Sequence, residues 1–255
     1  MRIADGSIRA TRNGGNLHIL RESDTWRRPV VRTVRIPATV APVVDMARLA
    51  EACHQAMTHD RLDWLGRSLG VSCESIHRYR TGWSAQHRAY THPMYDGIGH
   101  TVGIRLRRPD GRKYSVTGGH EGVFYACDFL PRRGETWYVV EGSSDAIAMH
   151  SIGIRAVIGR PSCTGGTAII TRMIRTHGPG RVVIVADADT PGIAGAERLA
   201  HEVMLYCCDT RIITPPSGVK DARDWITRAG ATEDDITTAV STSPRRTYST
   251  RGIHI

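Results

Sequence analysis

Apolar and polar positions follow two different rhythms along this 255-residue chain. Behind Asp45, Met46, Leu49, Ala50, Cys53 and Met57 recur at steps of three and four, the spacing of an amphipathic helix that Asp45 would cap. Two further helices are predicted over residues 60–69 and 72–79, with Ser72-Cys-Glu-Ser as a start signal and Gly70 and Gly82 as stops. Residues 103–116 then alternate around Pro109-Asp110-Gly111, which predicts a hairpin. From Thr136 onward strand-like and helix-like segments alternate: strands at 137–140, 156–158, 182–186 and 211–214, helices at 145–151, 167–175 and 193–205, and two last helices at 221–228 and 233–240. That order predicts an α/β fold, a parallel sheet with helices on both faces, preceded by a small basic α+β subdomain. Residues 1–42 are weakly periodic, with one alternating patch at 30–36 that predicts an edge strand. The expected division is a basic arm at 1–42, a basic helical and hairpin subdomain at 43–133, the α/β domain at 134–240 and a flexible tail at 241–255.

Charge sharpens this division. Residues 1–133 hold 21 Lys and Arg against 12 Asp and Glu, whereas residues 134–255 hold 13 of each, so the whole excess of +9 lies in the first lobe. A basic lobe beside a neutral, carboxylate-bearing one suits a polyanion held electrostatically next to the chemistry. Of the 34 cations only Lys113 and Lys220 are lysines. In a chain that otherwise uses Arg, these two are candidates for a compact ammonium placed near phosphate. The hairpin concentrates Arg105, Arg107, Arg108 and Arg112, read here as a face for nucleic acid or nucleotide. Trp64 and Trp83 are expected to pack in the core rather than to stack on bases.

The composition also excludes several classes. No run of about 20 apolar residues is present and the opening residues lack the apolar stretch of a signal peptide, so a cytoplasmic protein without a membrane partner is expected. Six cysteines show no CxxC spacing and no histidine pair matches a zinc motif, so no zinc is expected.

In an open parallel sheet, ligands bind beyond the carboxyl ends of the strands. Those ends are acidic here: Glu141-Gly-Ser-Ser-Asp145 after one strand, Asp187-Ala-Asp189 after another, and Lys220-Asp221-Ala-Arg-Asp224 after a third. So many like charges on one edge repel unless a divalent cation or a cationic substrate lies between them, and hard oxygen ligands favour Mg2+ or Mn2+. Gly142, Gly192 and Gly195 are read as serving backbone geometry, and Gly165-Gly166 as opening a helix.

The run Glu141-Gly-Ser-Ser-Asp145-Ala, followed by a hydrophobic strand ending in Asp187-Ala-Asp189 and then Gly192-Ile-Ala-Gly195-Ala196, resembles the TOPRIM domain. DnaG-like primases, type IA and II topoisomerases and OLD-family nucleases share that domain. The likeness spans about residues 135–228. The stretch from Asp187 to Ala196, and Lys220-Asp221 before Trp225, resemble the primase version in particular. Upstream, Leu65-Gly66, residues 75–82 and Asp110-Gly-Arg-Lys113 resemble, more loosely, the basic subdomain in the primase half of phage primase-helicases.

The resemblance implies that Glu141 is the general acid/base and that Asp145, Asp187, Asp189 and Asp221 hold divalent metal in a two-metal arrangement. Asp224 departs from the pattern by falling three residues after Asp221, and is expected to cap or to form a salt bridge. The implied function is a phage- or mobile-element-type DNA primase, a nucleotidyltransferase joining nucleoside triphosphates on single-stranded DNA, with Lys113 and Lys220 in the catalytic set. No zinc-module spacing and no GxxxxGK[ST] motif occur, so a replicative helicase or other replication protein is the expected partner. Two other readings stay open: a TOPRIM nuclease, and a non-catalytic nucleic-acid-binding protein.

Overall fold

The computed structural model describes residues 44–247, together with the backbone pairing of a two-residue antiparallel ladder, β1 (Arg9–Ala10) with β2 (Asn16–Leu17). The chain divides into two units, Met1–Val40 and Ala41–Ile255, and the ladder lies in the first. The edge strand expected at 30–36 falls outside the described residues, as does the rest of the arm.

The second unit opens with three helices, α1 (Met46–Gln55), α2 (His59–Leu69) and α3 (Cys73–Arg78). Each start is fixed by a side chain that accepts from an otherwise orphan backbone N–H: Asp45 from Arg48, Thr58 from Arg61 and Ser72 from Ser75. Gly70 ends α2 in the left-handed conformation, as its position suggested. Gly82 is not a stop: it opens β3 (Gly82–Ser84), the first strand of an antiparallel sheet in the order β3-β4-β5-β6, with β4 at Ala89–Tyr95, β5 at Thr101–Arg107 and β6 at Lys113–Ser115. The expected hairpin is β5–β6. Strand β4 is buried on both faces and carries His92 and Pro93 mid-strand, which hides it from an alternation test. Pro93 lies beyond the end of the β3 ladder, where β4 is flanked by β5 alone, a place that tolerates a missing N–H.

The third layer system is a four-stranded parallel sheet in the order β10-β9-β7-β8, comprising β7 (Thr136–Glu141), β8 (Val157–Arg160), β9 (Arg181–Val185) and β10 (Thr210–Ile213). Between and after these strands run α4 (Ser143–Ser151), α5 (Thr167–His177), α6 (Thr190–Val203), α7 (Ala222–Thr227) and α8 (Glu233–Thr242). Successive strand residues point to opposite faces, and the burial follows. Trp137 and Val139 of β7 with Val182 and Ile184 of β9 meet α5 and α6, whereas Tyr138 and Val140 with Val183 and Val185 meet α4, α7 and α8. Both faces are covered, so the strands read as almost continuous apolar runs.

The two lobes share a core. Leu65, Leu69, Ile76, Tyr79 and Tyr90 pack with Val140, Ile147 and Met149 in one apolar cluster, which fixes the basic sheet against the parallel one. The tail expected from residue 241 enters the fold at its start: α8 runs to Thr242, Arg245 bridges Arg211, and the Arg246 guanidinium reaches Glu197. Residues 248–255 lie outside the described residues. No described helix is long and apolar enough to cross a membrane, and all six cysteines are free.

Candidate active site

Three strand ends of the parallel sheet deliver the acidic residues. Glu141 closes β7, and Gly142 then turns the chain at φ 97° into α4, putting Asp145 in the first helical turn, 5% exposed. Only glycine takes that φ without strain, and a Cβ there would also meet the Asp145 carboxylate at 3.1 Å. Asp187 follows β9 by two residues. Asp189 caps α6, its Oδ1 accepting from Gly192 N–H at 2.8 Å. Asp221 caps α7 by accepting from Asp224 N–H at 2.7 Å.

Two backbone links draw these ends together. Ala188 N–H donates to the Lys220 carbonyl at 2.8 Å, and Arg223 N–H donates to Asp145 Oδ1 at 3.2 Å. The result is a cleft of about 500 Å³ between the lobes, with Glu141, Asp145, Asp187 and Asp221 on one side and Arg105, Arg107 and Lys113 of the basic hairpin facing them. Lys220 and Arg223 line it as well.

The electrostatics follow from burial and crowding. Burial, then repulsion from Asp145, Glu141, Asp221 and Asp189, pushes the Asp187 carboxyl up to about 8. Burial and the Asp221 charge raise Asp145 to about 7, against the lowering effect of Arg223 and Lys113. Glu141 is also raised, chiefly by burial, with the Arg160 guanidinium opposing the shift. Across the cleft, burial and neighbouring arginines hold Lys113 and Arg107 below their ordinary values. Each wall is thus strained by its own like charges and partly relieved by the other.

Other residues fall outside this arrangement. Asp189 does not line the cleft and reaches Asp187 only through its charge. Arg108 and Arg112 sit at the hairpin turn, where Asp110 engages Arg112 at 2.7 Å and Arg108 at 3.7 Å, and neither lines the cleft. Arg105 lines it but also ties the hairpin to the loop after β8, its guanidinium donating to the Pro161 carbonyl at 3.0 Å. Asp224 is buried in salt bridges to Arg223 at 3.2 Å and Arg228 at 3.4 Å. Trp83 is half-buried in the shared core, as expected, but Trp64 is 42% exposed.

Sequence reasoning missed two cations. Arg223 lies between two acidic residues on the first turn of α7, and its neighbourhood with Asp221 was the available signal. Arg160 ends β8 directly opposite Glu141 and is 4% exposed; its guanidinium donates to the Gly165 and Gly195 carbonyls and to Thr167. No periodicity marks a buried arginine. Gly195 serves close packing, since a Cβ there would stand 2.2 Å from the Cys163 carbonyl oxygen.

Among the described residues, no group of three or more His, Cys, Asp or Glu side chains closes into a ready-made metal cage. The donor chemistry nonetheless fits a hard divalent cation. Carboxylate oxygens from three strand ends face one cleft, and Asp187 has a charge raised in energy by four neighbours, a penalty a cation between them would remove.

Residues 138–226 match the family profile described as Toprim-like. Among solved structures, the chain is similar to the Escherichia coli primase catalytic core (14% identity, 78% of this chain and 79% of that one, TM-score 0.62) and to a DnaG primase catalytic domain bound to single-stranded DNA (14%, 78% and 80%, 0.62). It also resembles a chain in a complex of bacteriophage T7 lagging-strand DNA polymerase with primase domains bound to an RNA/DNA hybrid and dTTP (15%, 71% and 91%, 0.57). No curated protein sequence matches the chain. At these identities the shared property is the fold, and it covers both lobes.

Proposed function

We propose that this chain, a Toprim-like domain joined to a basic lobe in the fold of the DnaG primase catalytic core, is a metal-dependent nucleotidyltransferase that makes short primers on single-stranded DNA. The observation that carries this reading is the opposition of two charged walls in one cleft: Glu141, Asp145, Asp187 and Asp221 against Arg105, Arg107 and Lys113. A polyphosphate is the ligand that satisfies both, through cations on the basic side and through shared divalent metal on the acidic side. A binding module gains nothing from clustered carboxylates facing a phosphate backbone, so this arrangement favours catalysis.

In this reading Asp145, Asp187 and Asp221 hold Mg2+ or Mn2+, with Asp189 supporting them through its charge and by fixing the start of α6. The metal supplies charge neutralisation at the phosphate oxygens and lowers the pKa of an attacking hydroxyl. Glu141, its carboxyl raised above the ordinary value chiefly by burial, takes the proton from that hydroxyl. Lys113, Arg107 and Lys220 orient the triphosphate as cations, and Arg105 holds the basic hairpin over the cleft. Arg108 and Arg112, at the exposed turn, meet the strand only outside the cleft. Nucleoside triphosphates and single-stranded DNA are the substrates, and a replicative helicase or similar protein is the partner this reading expects.

The test is incorporation of labelled nucleoside triphosphates on single-stranded DNA with Mg2+ or Mn2+. Wild-type product that disappears in Glu141→Gln and in Lys113→Ala, one residue from each wall, supports the reading. Shortened DNA without new oligomers would assign the cleft to hydrolysis instead.

A further inference from the structure

The basic wall does not end at the cleft. Across the antiparallel sheet, Lys113 pairs with Arg107, Arg107 with Tyr90, and Tyr90 with Trp83, so these four side chains form one cross-strand row on a single face. Lys113 and Arg107 line the cleft. Three interstrand steps of ~4.8 Å carry the row about 14 Å from Lys113 to Trp83.

At that end the row becomes an aromatic cluster. Trp64 of α2 stacks on Tyr90 with ring centroids 5.7 Å apart and planes 6° from parallel. Trp83 meets Tyr90 edge-on at 5.1 Å, and the Arg61 guanidinium lies 4.7 Å over the Trp83 ring. Tyr90 is buried and its hydroxyl donates to the Arg61 carbonyl at 3.2 Å, so the support under Trp64 is rigid. Trp64 itself is 42% exposed, among the large apolar side chains left to solvent. Trp64 is thus stacked parallel on a buried ring while much of its own surface stays in solvent.

We infer that Trp64 is a stacking platform for a base of the single strand as it leaves the basic cleft, toward whose positive wall the strand's phosphates are drawn. Single-stranded DNA is the occupant because cations and a supported aromatic face succeed one another along one line, the combination that tracks a backbone and its unpaired bases. A stack of this kind takes any base and sets strand position rather than sequence. The inference rests on the proposed function for its substrate, but its test does not require catalysis.

The measurement is fluorescence-anisotropy binding of a labelled twelve-nucleotide oligo(dT), in EDTA and without nucleotides, to wild type, Trp64→Leu and Trp64→Phe. Leucine keeps an apolar side chain on Tyr90 but removes the π face, so its Kd rises roughly 5- to 150-fold, the factor that corresponds to ~1–3 kcal/mol for one base stack. Phenylalanine stays near wild type, and the salt dependence of Kd is the same in all three because no phosphate contact is lost. Equal affinities for Leu and wild type, equal losses in Leu and Phe, or a wild type that does not bind the oligomer would overturn the platform. Primer synthesis without a Trp64 effect sinks this inference alone, and a Trp64 effect without primer synthesis sinks the primase reading alone.

Discussion

Neutralising Asp187 should stabilise the metal-free protein. Its carboxyl, ordinarily near 3.8, stands at about 8 in the folded chain because of burial and the charges of Asp145, Glu141, Asp221 and Asp189. A folded pKa raised in this way contributes stability that is fully present below about pH 3.8 and is lost as pH rises through about 8. At ~1.4 kcal/mol per pH unit the ceiling on that loss is about 6 kcal/mol. Asp187 is partly open to solvent and its charge is shared with its neighbours, so screening reduces the realised penalty to about 1–3 kcal/mol. For a unit of this size that corresponds to roughly 3–10 °C in melting temperature. Thermal melts in EDTA at pH 8.5 should therefore place Asp187→Asn above wild type, with a smaller gap at pH 5. Adding Mg2+ at pH 8.5 should raise wild type and leave the variant nearly unmoved. An Asp187→Asn protein that melts below wild type in EDTA at pH 8.5 would refute the argument, because it would make the carboxylate a structural partner rather than a strained one.

Other outcomes follow from the same geometry. Gly195→Ala should lose at least about 1–3 kcal/mol by denaturant titration, because its Cβ would lie 2.2 Å from the Cys163 carbonyl oxygen and neither backbone can yield freely. His92 is buried, bonded to Thr81 and pushed down to about 3 by burial, with Arg107 and Lys113 adding to the shift. Its contribution is present above about pH 6.5 and is lost as pH falls toward 3, so replacing it with Gln in an Asp187→Asn background should flatten the acid limb of a stability–pH curve. Lys113→Arg should lower nucleotide incorporation at least about tenfold if a compact ammonium is required in the crowded basic wall, and unchanged incorporation would remove the special role given to that lysine.

The parallel-sheet half of the fold was legible in the sequence because β7, β8 and β9 are buried almost throughout and α5 and α6 each show one apolar stripe. Asp187 and Glu141 were legible for the same reason: residues that end such strands have a known place. The antiparallel lobe was legible only in part. Alternation exposes β5 and β6, whereas β4 is buried on both faces and interrupted by His92 and Pro93, so neither rhythm appears. The site's cationic side shows a second limit. Four hairpin arginines look alike in sequence, but the pairing register turns Arg105 and Arg107 toward the cleft, while Arg108 and Arg112 fall to Asp110 at the turn. Arg160 takes its place from tertiary packing, which local pattern does not encode. The expected burial of Trp64 failed for a similar reason: its helix packs through Leu65 and Leu69, which leaves the adjacent position on the outer side.

The central claim is that the two charged walls act on one template-bound nucleotide chain. The most direct measurement is sequence analysis of the products formed by wild type and Asp187→Asn on a single-stranded circle of mixed sequence, with labelled nucleoside triphosphates and Mg2+ or Mn2+. The account predicts short new oligomers complementary to the circle from wild type and none from the variant. Nicked or shortened circle without new strands, or oligomers that persist unchanged in Asp187→Asn, would contradict it.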